Sequence, residues 1–178
     1  VARAWSAWLP DVLPHVQGCP YLLAEHEVRQ AARLLFRRSR AWAAATADLA
    51  VAAAQAEVAV TLTGSRELVR VDKAWLDGRK LTVTTVTALN DSGTDWQAET
   101  GTPHSVVLMT PGIVRLYPIP TAAAATGLKL QCAVGPTETA TGLPDDLAVE
   151  YEEAITVGAK ARLLLITGRP WTALELGQ

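Results

Sequence analysis

Cysteine is nearly absent from this 178-residue chain. Cys19 and Cys132 are too few for a disulfide framework or a zinc cluster. Histidine is almost as scarce, and His15, His26 and His104 lie too far apart to pair as ligands at metal-binding spacing. HExxH and CxxC motifs and a glycine-rich phosphate loop are all missing, which removes the commonest metallohydrolase, redox and nucleotide-binding readings. No apolar run approaches the roughly 18 residues of a membrane-spanning helix. Pro10, Asp11 and Pro14 interrupt the apolar stretch near the N-terminus, so it does not read as a secretion signal. Charge is sparse and balanced: 19% of residues are charged and the net is -2, which excludes an indiscriminate electrostatic grip on DNA.

What remains is apolar and rich in tryptophan. Hydrophobic residues make up 49% of the chain, and six of its ten aromatics are Trp. A chain of this length buries roughly 70% of its extended surface, enough for one domain, or for one domain with a sizeable insertion. The charge is polarised along it. Residues 1–42 carry six basic and three acidic groups, residues 43–134 seven and eight, and residues 135–178 three and seven. Opposite poles suit head-to-side contacts between copies, or a docked pair of helices within one copy.

The ends read as helix and the middle as strand. Residues 1–20 hold Trp5, Trp8, Leu9, Val12, Leu13 and Val16, cut by three prolines into short turns and an extended segment. Val28, Ala31, Ala32, Leu35 and Phe36 recur at helical spacing and predict a helix over 24–41. A second helix is predicted over 145–167, with Asp145, Asp146 and Glu150 at its positive end and Gly168 and Pro170 closing it. Ala154, Gly158 and Ala161 form a small-residue strip on it, where the first helix can approach closely. Between these helices lie alternating segments broken by turns. They include 57–62, 68–71, a hairpin through Asp77-Gly78, 105–109, 113–117 and 128–134. Their spacing predicts an antiparallel sandwich or barrel rather than a parallel sheet. The alanine-rich stretch before them favours helix by propensity. The fold class is therefore α+β: a helical core from both chain ends with an antiparallel β-rich insertion. The expected divisions are 1–45 and 140–178 for the core and 46–139 for the insertion.

The chemistry-bearing residues suggest structural roles. His104 and His26 read as loop and helix-start residues. Asp145 and Asp146 read as a helix start, since adjacent helical residues diverge by about 100°. Cys19, between Gly18 and Pro20, reads as a small buried packing residue. Asn90-Asp91-Ser92 matches a glycosylation triplet, but no secretion signal supports it. No residue is assigned to catalysis, to a cofactor or to a metal. The charge feature of interest is Arg29, Arg33, Arg37 and Arg40, which project to one side of the first helix. That face is either solvated and paired locally, or meets an acidic partner or neighbouring copy; direct phosphate contact is a third use.

Several segments carry a resemblance when taken in order. They are Trp8-Leu9-Pro10-Asp11-Val12-Leu13-Pro14, Gly18-Cys19-Pro20, Arg29-Gln30-Ala31-Ala32 and Arg38-Ser39-Arg40-Ala41-Trp42. Trp96, Gly101-Thr102-Pro103, the run Ile113–Pro120, Leu143-Pro144-Asp145, Gly158–Leu163 and Pro170-Trp171 follow. The order resembles the head-to-tail adaptor proteins of tailed bacteriophages, especially short-tailed and related phages. The resemblance implies a non-enzymatic virion protein without a cofactor. It implies a homo-oligomeric ring of twelve copies under the portal protein, at the neck of the virion, assembled in the host cytoplasm. Genomic DNA would pass through the ring without sequence-specific binding, a tail or nozzle protein would dock on it, and no membrane would be involved. The family also implies strand and turn, not helix, at 46–55. Interface candidates are then Arg29, Arg33, Arg37 and Arg40, facing Glu150, Glu152 and Glu153 on another copy or on the portal. Two alternatives stand beside this: another neck or tail-completion protein, or a glycan- or ligand-binding β-domain. The second would be favoured by an exposed platform of Trp75 and Trp96.

Overall fold

A computed structural model describes residues 2–92 and 95–173. In chain order the elements begin with β1 (Ala2–Ala4), α1 (Leu9–Val12), α2 (Tyr21–Ser39), β2 (Ala43–Ala45), β3 (Glu57–Ala59), β4 (Arg66–Leu76) and β5 (Arg79–Thr84). They continue with α3 (Val86–Asn90), β6 (Thr100–Gly101), β7 (Ser105–Thr110), β8 (Ile113–Tyr117), β9 (Ile119–Pro120), β10 (Leu128–Pro136), β11 (Gly142–Pro144), α4 (Asp145–Glu150) and α5 (Glu152–Leu164). The chain divides into two units. One joins residues up to Ser39 with those from Gly135 onward, and the other is Arg40–Val134.

The helical unit is closed by its own two ends. β1 pairs antiparallel with β11, placing Arg3 opposite Leu143. The next turns carry Trp5, Trp8, Leu9 and Val12 inward, all fully buried. Proline is tolerated here because Pro10 and Pro14 sit at the first positions of short helical turns, where their missing N–H costs nothing. Trp5 and Trp8 stack at 5.6 Å, and the Trp5 indole N–H donates to the Ala140 carbonyl at 2.6 Å. α2 buries Ala24, Val28, Ala31, Ala32 and Phe36 and packs on α5, whose own buried residues include Ile155, Ala159 and Leu163. The expected pairing of the two long helices is therefore met. Gly158 faces α2 closely: a Cβ there would lie 3.3 Å from that of Ala31.

Three boundaries differ from the sequence reading. α2 begins at Tyr21 and ends at Ser39, because Arg40 takes a left-handed conformation (φ 57°) that stops helical hydrogen bonding. The C-terminal helix is two segments, α4 and α5, parted where Tyr151 leaves helical geometry (φ -109°, ψ 16°). The i to i-4 bonds continue through the break, so it is a bend at which the Tyr151 ring meets the edge of Phe36 at 5.3 Å. α5 ends at Leu164, three residues before the expected 167, while α4 starts at Asp145 as expected, with Pro144 at its N-cap.

The sheet unit holds seven strands in the order β2-β10-β4-β5-β7-β8-β3, curled around one core. Val71, Ala74, Leu81, Val106, Val114, Leu116, Leu128, Leu130 and Cys132 fill that core. The Asp77-Gly78 turn joins β4 to β5 as the sequence predicts, with positive φ at both residues. The sheet is mixed, however. β5 and β7 run parallel, joined by a crossover that contains α3, an element the sequence reading left out. A parallel pair needs such a crossover, which is where α3, Leu89 and the buried Trp96 form a small second core. The alanine-rich stretch opens with β2, paired antiparallel with β10; over 46–55 the strand expected from the family does not form, and the chain stays beside β10 only as far as Leu49. Thr46 exchanges bonds with Leu130, and Leu49 makes a single bridge to Leu128. Pairing with β10 overrides helix propensity there.

Candidate functional site

Among the described residues no group of three His, Cys, Asp or Glu side chains could hold a metal. His104 is exposed; its Nδ1 lies 2.9 Å from the Ser105 hydroxyl, and its ring meets the edge of Tyr117. Cys19 is half-exposed, not the buried packing residue expected. Burial and the Glu27 charge nevertheless push its thiol above the usual range, against thiolate chemistry. Burial, with the Asp72 charge second, raises the Cys132 thiol to about 11. Trp75 is half-exposed beside two shallow clefts of about 380 and 320 Å³. Trp96 is buried (4% exposed), donates to Asn90 Oδ1 at 2.8 Å and lies under Arg115, so no Trp75–Trp96 platform exists.

The arginine face divides along α2. Arg29 and Arg33 are half-buried and turn toward Glu138. Arg29 donates to the Glu138 carbonyl at 3.0 Å and pairs with Glu25 at 3.7 Å, while Arg33 stands 4.0 Å from the Glu138 carboxylate. These two anchor the return of the chain into the helical unit. Arg37 is exposed at the end of α2; Arg40 lies past the helix end and belongs to the sheet unit. Arg38 is exposed beside Arg37, with Leu34 one turn earlier at 40% exposure. The helical spacing of the arginines is visible in the sequence, but Glu138 as their anchor is not, because it lies a hundred residues away.

The acidic candidates do come together. Glu150, Glu152 and Glu153 line an open cleft of about 610 Å³ with Asp11, Val149, Thr156, Val157 and Lys160. Glu150 follows Val149 at the end of α4; Glu152 and Glu153 open α5 after the bend at Tyr151. Acidic side chains suit a helix start, where the backbone N–H groups present partial positive charge. Asp11 is brought in by α1. Glu152 is engaged by Arg3 at 2.6 Å, and Glu150 accepts a hydrogen bond from Tyr151 that raises the phenol above its ordinary range. No ion pair engages Asp11 or Glu153 among the described residues. Val149 and Val157 are 72% and 56% exposed at the cleft. Thr156 is 7% exposed, and its Oγ1 is buried without a hydrogen-bond partner. The sequence reading missed Asp11, Val149, Thr156 and Val157. A signal existed only for the valines, apolar residues at a spacing of eight on an otherwise polar helix face.

Of the expected small-residue strip, Gly158 meets α2, Ala161 is half-buried and Ala154 is exposed. The arrangement offers a cation-seeking, partly apolar recess on one end of the helical unit and a cation-bearing, partly apolar ridge at the end of α2. A protein-family model described as SU10 adaptor protein matches residues 7–173. No curated protein matches the chain.

Proposed function

The chain belongs to the SU10 adaptor protein family, and from that membership we propose that it is a structural head-to-tail adaptor of a tailed-phage virion. Twelve copies form a ring beneath the portal at the virion neck. The ring lengthens the DNA channel and gives the tail or nozzle protein a surface to dock on. It does no chemistry, and its assembly takes place in the host cytoplasm. The observation that carries this reading is the extent of the family match, which runs through both units.

Charge supports it. A channel through which duplex DNA must slide cannot hold phosphates, because each neutralised phosphate adds salt-dependent affinity. A net charge of -2 suits passage rather than grip. The test is to mix the purified chain with the portal protein of the same phage and examine the product by sedimentation and cryo-electron microscopy. A discrete complex with cyclic symmetry is expected. Failure to associate with portal or any other virion component would sink the adaptor role. A second reading, a glycan-binding β unit, rests on the half-exposed Trp75. Glycan binding that disappears in Trp75→Ala, in a chain that ignores portal, would replace the first reading.

A further inference from the structure

The carboxylate cleft of α4 and α5 and the exposed end of α2 complement each other in both charge and apolarity. We propose that the cleft is the docking site for the α2 end of a second copy of this chain. The inference rests on the ring reading and names the surface through which neighbouring copies hold one another.

The cleft presents Asp11, Glu150, Glu152 and Glu153, against Lys160 and the Arg3 that pairs with Glu152. Its surplus is negative. A metal does not fit, since no three carboxylates converge among the described residues. What fits is a cationic side chain with an apolar stem, because Val149 and Val157 are exposed at the cleft. Thr156 adds a second requirement: it lines the cleft, and its buried hydroxyl has no hydrogen-bond partner. A guanidinium meets all three demands. Its planar fork can donate to carboxylates and to a hydroxyl together, while its methylenes cover the valines.

The chain carries such a group on the same unit. Arg38 is exposed on the last turn of α2, and Leu34, four residues before it, stands on the same side of the helix. Leu34 meets Val149 and Val157 while Arg38 reaches Glu153, Asp11 and the Thr156 hydroxyl. The two surfaces are different patches, so the contact is heterologous. Repeated from copy to copy, it closes into a ring when the rotation permits and otherwise runs on as a filament.

The experiment uses the full chain on portal. Arg38→Glu and Glu153→Arg are each made alone and then combined. Each single reversal is expected to weaken ring assembly at least about 30-fold, and the double variant to recover most of it. Thr156→Val is expected to keep or raise thermal stability, since it removes a buried unpaired hydroxyl, yet to weaken assembly several-fold. In a Cys19→Ser background, Leu34→Cys with Val157→Cys is expected to trap rings as a disulfide-linked ladder. If the wild-type chain assembles while the reversals and the cysteine pair have no effect, this surface is wrong and the adaptor reading stands. If the wild-type chain assembles neither alone nor on portal, the adaptor reading falls and this inference with it.

Discussion

The helical and sheet units treat their apolar surface differently. Of seven large hydrophobic side chains left exposed among the described residues, six belong to the helical unit: Tyr21, Leu22, Leu34, Val149, Val157 and Leu165. The sheet unit leaves only Ile113. A curled sheet can bury one face completely on itself, and this one does so around the Val71–Leu130 core. Two packed helices bury only the stripes that face each other, and α2 and α5 keep apolar residues on their outer rows as well. Single exposed apolar side chains are ordinary, but Val149 and Val157 share one cleft with the carboxylates, and the proposed contact sets Leu34 against these two. The contact proposed above therefore uses the helical unit alone. The units differ in closure too: the sheet is held by a continuous stretch of chain, the helical unit by two ends that must find each other.

That contrast makes unit-specific effects of mutation the sharpest way to attack it. The largest effect is expected at Gly142, where a side chain would run into the Arg3 backbone across β1 and β11. Backbone cannot swing aside, so Gly142→Val should destabilise the helical unit by about 3 kcal/mol or more. Hydrogen exchange should show α2 and α5 amides losing protection while β4 and β5 keep theirs. Simultaneous loss in both units would break the comparison. Gly158→Leu comes next, overpacking the approach to Ala31 at a cost of about 1–3 kcal/mol. A higher urea midpoint with unchanged slope would instead show that α5 gains from helix propensity without losing the contact. Trp5→Phe removes the bond to the Ala140 carbonyl and leaves that acceptor buried, for a loss of about 1–2 kcal/mol on chemical denaturation.

The smallest effect sharpens the comparison from the other side. Asp77 Oδ1 accepts from the Thr126 amide at 2.7 Å, the Thr126 hydroxyl at 3.1 Å and the Gly127 amide at 3.2 Å. The first of these bonds is the main reason its pKa is held below the ordinary value. A carboxylate depressed in the folded state contributes stability above its unfolded pKa of about 3.9, and loses it as pH falls through the folded value. Acid titration below about pH 4 should therefore loosen the β4–β5 turn and the 125–127 loop first. Asp77→Asn should flatten that pH dependence while leaving the helical unit untouched. If the acid transition is the same in Asp77→Asn, the turn is not where the sheet unit yields.

The sequence made its strongest statements where one residue's neighbours in the chain decide its conformation. The period of Val28, Ala31, Ala32 and Phe36 marked α2, and Asp77-Gly78 marked a hairpin, because helical faces and left-handed turns are set within four residues. The same local reach explains the misses. Propensity alone favoured helix in the alanine-rich stretch, and pairing of Thr46 and Leu49 with β10 decided otherwise. The parallel β5–β7 pair could not be read because strand direction depends on the path of a crossover, not on alternation.

What the sequence by itself determined is therefore the class of fold, the position of the β insertion between two helical ends, and the resemblance to phage adaptors that the SU10 adaptor match over residues 7–173 bears out. What only the tertiary structure decided is how each charge is used. Arg29 and Arg33 look equivalent to Arg37 by spacing, yet Glu138 draws the first two inward. Asp11 has no carboxylate neighbour in the chain, yet it shares a cleft with Glu150 and Glu153. The physical reason is range. Backbone preference is local and survives in the sequence, whereas an ion pair or a recess joins side chains separated by a hundred residues and exists only once the core has brought the two ends together.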